Sequence, residues 1–503
     1  MTRRFTRFTL SLLALTTSGA ALAQSGPITE AELSAHVNVL ADDRFEGRKP
    51  GTAGEQLTTD YIVRELTARG VEPAAGAGSW LQPVALVERG QATHRIAVTR
   101  GSGAIALPAE SLVLTSRDAA VSITGAPIIF AGHGAVMPDR GIDQLAGADF
   151  NGAVALILYE GPDVEGFPSF QQRIQTLKAA GARAVIGIVG PDLPWAQVRR
   201  FATGGSVQIE EPDMPDVFGA ISWEGATVLI RGAGQDIERL LNEQPGSSFR
   251  SVVLPLRATI EVTTELRRFT SNNVVGRIRG SGQSGESIVL LGHWDHLGIC
   301  RPEGEADRIC NGAVDNASGI ATLIEAAGRL KAGERPVRDI LILATTAEEM
   351  GLLGAEAFGR NPTVPRGSII AGFNADTMAV APAGTPVAVI GGTREMHTLI
   401  GRIAIGLGRR LDIDREADIM VRRQDGWALT RNGIPTVMAV GNASDMNLLR
   451  TFLAGPYHKP DDDLSRPIEY GGAVEDANLL VALARAFADP AQFATPTAEG
   501  SAQ

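Results

Sequence analysis

Apolar residues recur at helical spacing near the start of the chain and gather into unbroken runs in its second half. Thr29-Glu30-Ala31-Glu32 opens a helix with a capping box, and Leu33, Val37 and Leu40 follow along one face. Thr52-Ala53-Gly54-Glu55 opens another, with Leu57, Tyr61 and Leu66 as its apolar stripe and Gly70 as its stop. Between them lies a Gly/Pro loop, residues 47–51. Residues 287–292, 340–345, 369–375 and 436–440 are continuous apolar runs, as expected of strands buried on both faces of a mostly parallel sheet. Helical periodicity over 317–331 and 472–488 completes the pattern. The expected fold class is α/β, with a mostly parallel central sheet flanked by helices.

Residues 106–260 read differently. Short β-rich runs at 127–131, 154–159 and 184–189 are separated by Pro and Gly, with a helix expected over 170–181. This predicts a small β-rich insertion with one or two helices. The rest divides into an N-terminal part of the main domain (24–105), its larger part (261–489) and a disordered Ala/Thr/Ser/Gln-rich tail (490–503).

The first 23 residues stand apart from this scheme. Arg3, Arg4 and Arg7 precede a short apolar run, and Ala21-Leu22-Ala23 fits a small-residue cleavage site, so 1–23 reads as a secretory signal. The run is too short to span a bilayer, which takes about 20 apolar residues, and no later segment does better. An exported protein, periplasmic or secreted and without a membrane anchor, is expected. Net charge is −11 over the 503 residues, and an acidic surface argues against nucleic acid or an anionic membrane as partner. The only two cysteines, Cys300 and Cys310, fall in one loop, and an exporting context favours a local disulfide between them.

The polar residues now fall into place. His293 and Asp295 follow the run 287–292, and Asp315-Asn316 precedes the helix 317–331. Glu348-Glu349 follows 340–345, Asp376 ends 369–375, and Tyr457-His458 lies in a later loop. In open α/β sheets ligands bind outside the carboxyl ends of the strands, so these groups can share one crevice. Two His with several carboxylates and no cysteine suit zinc. Five ligands with one bridging carboxylate would hold two zinc ions about 3.5–4 Å apart. Asp295, beside His293, suits the orientation of that ring. His296 adjoins the motif without a role and reads as structural; His36, His94, His133 and His397 read as ordinary.

The order His293-Trp294-Asp295, Asp315-Asn316-Ala317-Ser318-Gly319, Glu348-Glu349, Asn374-Ala375-Asp376 and Tyr457-His458 resembles the co-catalytic di-zinc aminopeptidases, relatives of glutamate carboxypeptidase and the glutaminyl cyclases. Residues 46–55 resemble the opening of that family's N-terminal helix, and 106–260 its inserted protease-associated domain. The resemblance implies the zinc exopeptidase fold. It implies two zinc ions per chain, one on His293 and Asp376, the other on Glu349 and His458, with Asp315 bridging. It makes Glu348 the general base, Tyr457 the hydrogen-bond donor to the developing oxyanion, and Asp295 the support of His293. Arg423-Gln424-Asp425 departs from the family's Arg-Ser-Asp. The implied function is an exported aminopeptidase acting on peptides through a water activated by the metals. A carboxypeptidase or dipeptidase would use the same site. A glutaminyl cyclase, or a non-catalytic receptor-like protein, would shed part of the ligand set that this chain keeps.

Overall fold

The computed structural model describes residues 26–495 apart from 163, 165, 243–248 and 415. The expected signal segment and residues 496–503 lie outside the described residues. The chain forms two compact units, one from residues up to Val84 together with Ser271 onward, the other Ala85–Thr270. Among the described residues no helix is long and apolar enough to cross a membrane.

The first unit is α/β. Its central strand Ser287–His293 is buried at every position and lies parallel to Asp339–Thr345 on one side and Ile369–Asn374 on the other. Thr436–Val440 extends the parallel part beyond Ile369–Asn374. Antiparallel strands close both sides: residues 274–278 of Val252–Ile278 pair with Asp339–Thr345, and Ala388–Gly391 with Thr436–Val440. The helices Glu30–Leu40, Ser318–Ala332 and Gly471–Phe487 share one core with the sheet, through Leu33, Val37, Ile320, Leu323, Leu480 and Leu483. Ala355, Phe358, Ala428 and Leu429, from Leu353–Arg360 and Asp425–Arg431, form a separate core with Val289, Leu291, Leu341 and Leu343. Strand residues of opposite parity thus feed cores on opposite faces, which is why each run is apolar throughout.

Two details depart from the sequence reading. On Ala53–Ala68, Leu57 is 44% exposed, and the buried stripe runs through Thr58, Tyr61, Ile62 and Leu66. Thr58 tolerates burial because its hydroxyl donates to the carbonyl of Gly54 at 2.7 Å. At the other end, Phe493 is only 5% exposed and packs on Phe487, and its carbonyl accepts from Arg338. Residues 490–495 are therefore tied to the core rather than a free tail.

The second unit carries more helix than a β-rich insertion. Ala120–Phe130, Val154–Leu158, Ala184–Ile188 and Val217–Ile221 are successive parallel neighbours, with antiparallel Leu112–Ser116 at one side and residues 252–263 at the other. Phe170–Ala179 buries Ile174 and Leu177 against Ile129, Ile157 and Val185. Trp223–Gly232 buries Ala226, Leu229 and Ile230 against Ile128, Phe130 and Leu156, on the other face. Trp195–Thr203 and Ile237–Asn242 add two further helices. The unit is a mostly parallel sheet with helices on both faces. It begins and ends inside long strands, Leu81–Arg100 and Val252–Ile278, and so reaches beyond residues 106–260 at both ends.

Candidate metal centre

The central strand ends on His293, and the ring's orientation follows from its own backbone. Nδ1 lies 3.1 Å from the carbonyl oxygen of Asp295. With the N–H directed there, the Nε2 lone pair faces the cleft. Nε2 stands 3.3 Å from Asp315 Oδ1 and 3.4 Å from Asp376 Oδ1. On the opposite side of Asp315, Oδ2 is 3.3 Å from His458 Nε2, which is 2.9 Å from Glu349 Oε2. Asp315 therefore offers one oxygen to each of two donor sets. The structure brings all five expected ligands together.

The segment 314–319 explains how Asp315 is held. Asp462 accepts the backbone N–H groups of Val314 and Asp315 at 2.9 and 3.0 Å. Asn316, joined to Asp315 by a cis peptide, accepts from the N–H of Gly319 and Thr377 and donates to the carbonyl of Ala375. A Cβ at position 319 would stand 2.2 Å from Asn316 Oδ1 and 2.4 Å from the Ala375 carbonyl. The glycine of Asp-Asn-x-x-Gly is thus required by the close approach of the helix to the strand end that leads to Asp376.

Arg48 ties the same region from the N-terminal segment. It is 1% exposed and donates to four carbonyls: Trp294, Leu40, Asn311 and Gly312, at 2.9, 2.8, 2.5 and 2.8 Å. Those of Trp294, Asn311 and Gly312 lie near the two ends of the loop 293–315, which carries the disulfide Cys300–Cys310, and that of Leu40 ends the helix Glu30–Leu40. Nothing in the sequence pattern points to this role, because every acceptor is backbone.

Asp295 supports the site differently from the expectation. Its carboxylate is 3.9 Å from His293 Nδ1 and instead accepts the backbone N–H of Glu348 at 3.1 Å and of Glu349 at 3.4 Å. It sets the main chain that presents both glutamates, while its carbonyl orients His293. Glu348 lies within 4.8 Å of His293 and Asp376. Tyr457 stacks on His458, with centroids 3.7 Å apart, and lines the same pocket as Glu348, Asp376 and His293.

The electrostatics are those of an anionic hole. Burial, and then the neighbouring Asp376, Asp425 and Glu349 carboxylates, push Glu348 well above the usual carboxylate range. Burial lifts Asp295 to about 8 and Asp425 to about 6. Burial alone would lower the histidines, yet the facing carboxylates raise His458 to about 9 and His293 well upward. Tyr457 is raised by burial and by Asp315 and Glu349, so its phenol stays neutral.

One residue the sequence reading set aside belongs here. His296 is fully buried, with Nδ1 2.6 Å from Glu349 Oε1 and its ring edge-on to His458 at 5.6 Å. Several contacts in this half lack hydrogen-bond angles. His296 Nδ1 and Nε2, Glu349 Oε1 and His458 Nε2 are buried without a hydrogen-bond partner among the described residues. Unpartnered lone pairs facing one another, within a surplus of buried carboxylates, fit a bound dication. Imidazole and carboxylate donors without thiolate fit zinc. The only signal in the sequence was the adjacency of His296 to Asp295.

Residues 273–484 match the profile of Peptidase family M28. The matched segment carries the motifs His293-Trp294-Asp295 through Tyr457-His458. Among curated relatives, it is 27% identical over 225 residues to a probable glutamate carboxypeptidase AMP1 of Arabidopsis thaliana, covering 41% of this chain and 28% of that one. It is 37% identical over 101 residues to a vacuolar membrane protease of Yarrowia lipolytica, covering 20% and 9%. The matches thus span under a third of these relatives. Among solved structures it is similar to an aminopeptidase from Aneurinibacillus sp. strain AM-1, with 19% identity, 93% and 96% coverage and a TM-score of 0.46.

Proposed function

We propose that the protein is a zinc-dependent exopeptidase that removes N-terminal residues from peptides, acting outside the cytoplasm as the leader-like residues 1–23 suggest. The observation that carries this reading is Asp315, whose two oxygens face His293 with Asp376 on one side and His458 with Glu349 on the other. His293 and Asp376 would hold one zinc, Glu349 and His458 the other, and Asp315 both. Zinc supplies polarisation of the scissile carbonyl and acidification of water.

The remaining work belongs to the chain. Glu348, made more basic by burial and its carboxylate neighbours, accepts the proton of the attacking water and returns it to the leaving amine. The neutral Tyr457 phenol donates toward the oxygen on which charge develops. Met420, Met438, Leu449 and Leu453 wall the adjoining pocket and favour an apolar side chain at the cleaved residue. The unit Ala85–Thr270 takes the place of the protease-associated-like insertion.

One observation supports a second reading. Arg423 lines the same pocket, and a guanidinium suits a terminal carboxylate, as in a carboxypeptidase. A panel of aminoacyl chromogenic amides beside N-blocked peptides, run with metal analysis, separates the two. About two zinc ions per chain and turnover only of substrates with a free amine are expected. Turnover of N-blocked peptides with a free carboxylate would reverse the assignment. Zinc-free protein with no turnover would refute both.

A further inference from the structure

We infer that His296 is a sixth protein ligand, completing a four-donor set with Asp315, Glu349 and His458, while His293, Asp315 and Asp376 form a three-donor set. The inference rests on the zinc reading above and adds to it a residue outside the expected ligands.

The geometry is the argument. Four donors at zinc distances of about 2.0–2.1 Å in a tetrahedron stand about 3.3 Å from one another. In this half, the donor pairs lie 3.3 Å (Asp315 Oδ2 to His458 Nε2), 2.9 Å (His458 Nε2 to Glu349 Oε2), 2.6 Å (Glu349 Oε1 to His296 Nδ1) and 3.9 Å (His296 Nδ1 to Asp315 Oδ2). Glu349 turns a different oxygen to each imidazole, so the set closes on one ion with that carboxylate bidentate, and the Asp315 Oδ2 to His458 Nε2 separation matches the tetrahedral edge. His296 is fully buried, and neither ring nitrogen has a hydrogen-bond partner among the described residues. A buried imidazole left so is destabilising unless something else occupies its lone pair.

The surroundings are shaped to admit the ring. Gly312, at φ 59°, would carry a Cβ 2.6 Å from His296 Cγ, so a side chain there would expel the imidazole. Arg48 fixes Gly312 through its carbonyl at 2.8 Å. A three-donor set leaves a coordination position for substrate, whereas a four-donor set is closed. The two halves should therefore bind zinc unequally, the His296 side more tightly.

The rival role for this ring is to donate from Nδ1 to Glu349 without touching metal. The variant His296→Asn separates the two, because its amide can donate from nearly the same place but is a poor zinc ligand. Zinc K-edge X-ray absorption on the wild-type dizinc protein should count three imidazoles over two ions. A zinc titration against a chromophoric chelator should show two affinities, with His296→Ala and His296→Asn both weakening the tighter by more than 100-fold. Loss of a merely supporting partner costs about 10–100-fold. Two imidazoles over two bound ions, or wild-type affinity in His296→Asn, would overturn the inference while leaving the zinc enzyme intact. Absence of zinc from the wild-type protein would instead refute the reading beneath it. The spectroscopic count needs no variant, so a misfolded substitution cannot leave the question open.

Discussion

Replacing Arg48 by Lys tests how the loop between the first two expected ligands is held. The guanidinium spreads three nitrogens over four buried carbonyls. Burial lowers it to about 10, so it remains charged at neutral pH. Lysine keeps the charge but gathers its three donors on one nitrogen, so at least one of the four acceptors goes unpaired. One buried carbonyl left unpaired predicts a loss of at least about 1–3 kcal/mol. That is a large share of the roughly 5–15 kcal/mol by which domains are stable. The backbone at position 48 has φ 53° and neither residue is favoured there, so the change reports the side chain. The Trp294 carbonyl lies between His293 and Asp295, and those of Asn311 and Gly312 shortly precede Asp315. Metal retention should therefore fall with stability. The assay is urea unfolding of chelator-treated protein, paired with zinc content after gel filtration. A change under about 0.5 kcal/mol with full zinc retention would show that Arg48 does not hold the loop.

The two adjacent glutamates should differ in kind. Glu348→Gln should cut kcat by about 10²–10⁴-fold with zinc content intact, whereas Glu349→Gln should lose zinc from one half-site; the reverse pattern would exchange their roles. Glu325 is opposed by burial but held down to about 2 by His36 and Arg69. Its stabilising charge is fully present above the unfolded value near 4.5 and is lost as pH falls through about 2. The stability gap between wild type and Glu325→Gln should shrink by about 2 kcal/mol from pH 6 to pH 3, and a constant gap would refute the assignment. Reducing Cys300–Cys310 should lower stability by about 2–3 kcal/mol, read as a shift in the denaturation midpoint; no shift would mean that the loop is held by its other contacts.

The main sheet was legible because its strands are buried on both faces. Residues 287–292, 340–345 and 436–440 had no polar interruption, so length and neighbours marked them as strands. In the second unit, Phe170–Ala179 answers the helix expected over 170–181, but the other helices were not legible, for the converse reason. Trp223–Gly232 contains Thr227, Val228 and Ile230, whose β-branching reads as strand, yet Ser222 caps it by accepting from Gly225 and its apolar face finds a sheet to cover. Trp195–Thr203 buries no residue fully, so its pattern carried little core signal. Leu57 was assigned to the core by hydrophobicity, but the helix turns Thr58 inward because its hydroxyl is satisfied locally.

The site was legible to the extent that its chemistry lies in side chains. His293, Asp315, Glu348, Glu349, Asp376, Tyr457 and His458 announce themselves by type and by position after strands. What holds them works largely through the main chain, which carries no residue identity. Asp295 orients His293 with its carbonyl, not its carboxylate, and spends the carboxylate on two backbone N–H groups. Asp462 and Arg48 likewise meet only backbone. His296 was discounted for want of a partner in the one-dimensional pattern. Its partners, Glu349 and His458, lie 53 and 162 residues away, and only the folded chain sets them against its ring. A histidine in that position is structural or ligating according to where one nitrogen points, and in this fold Nδ1 faces an oxygen of Glu349, one of the expected ligands, at 2.6 Å.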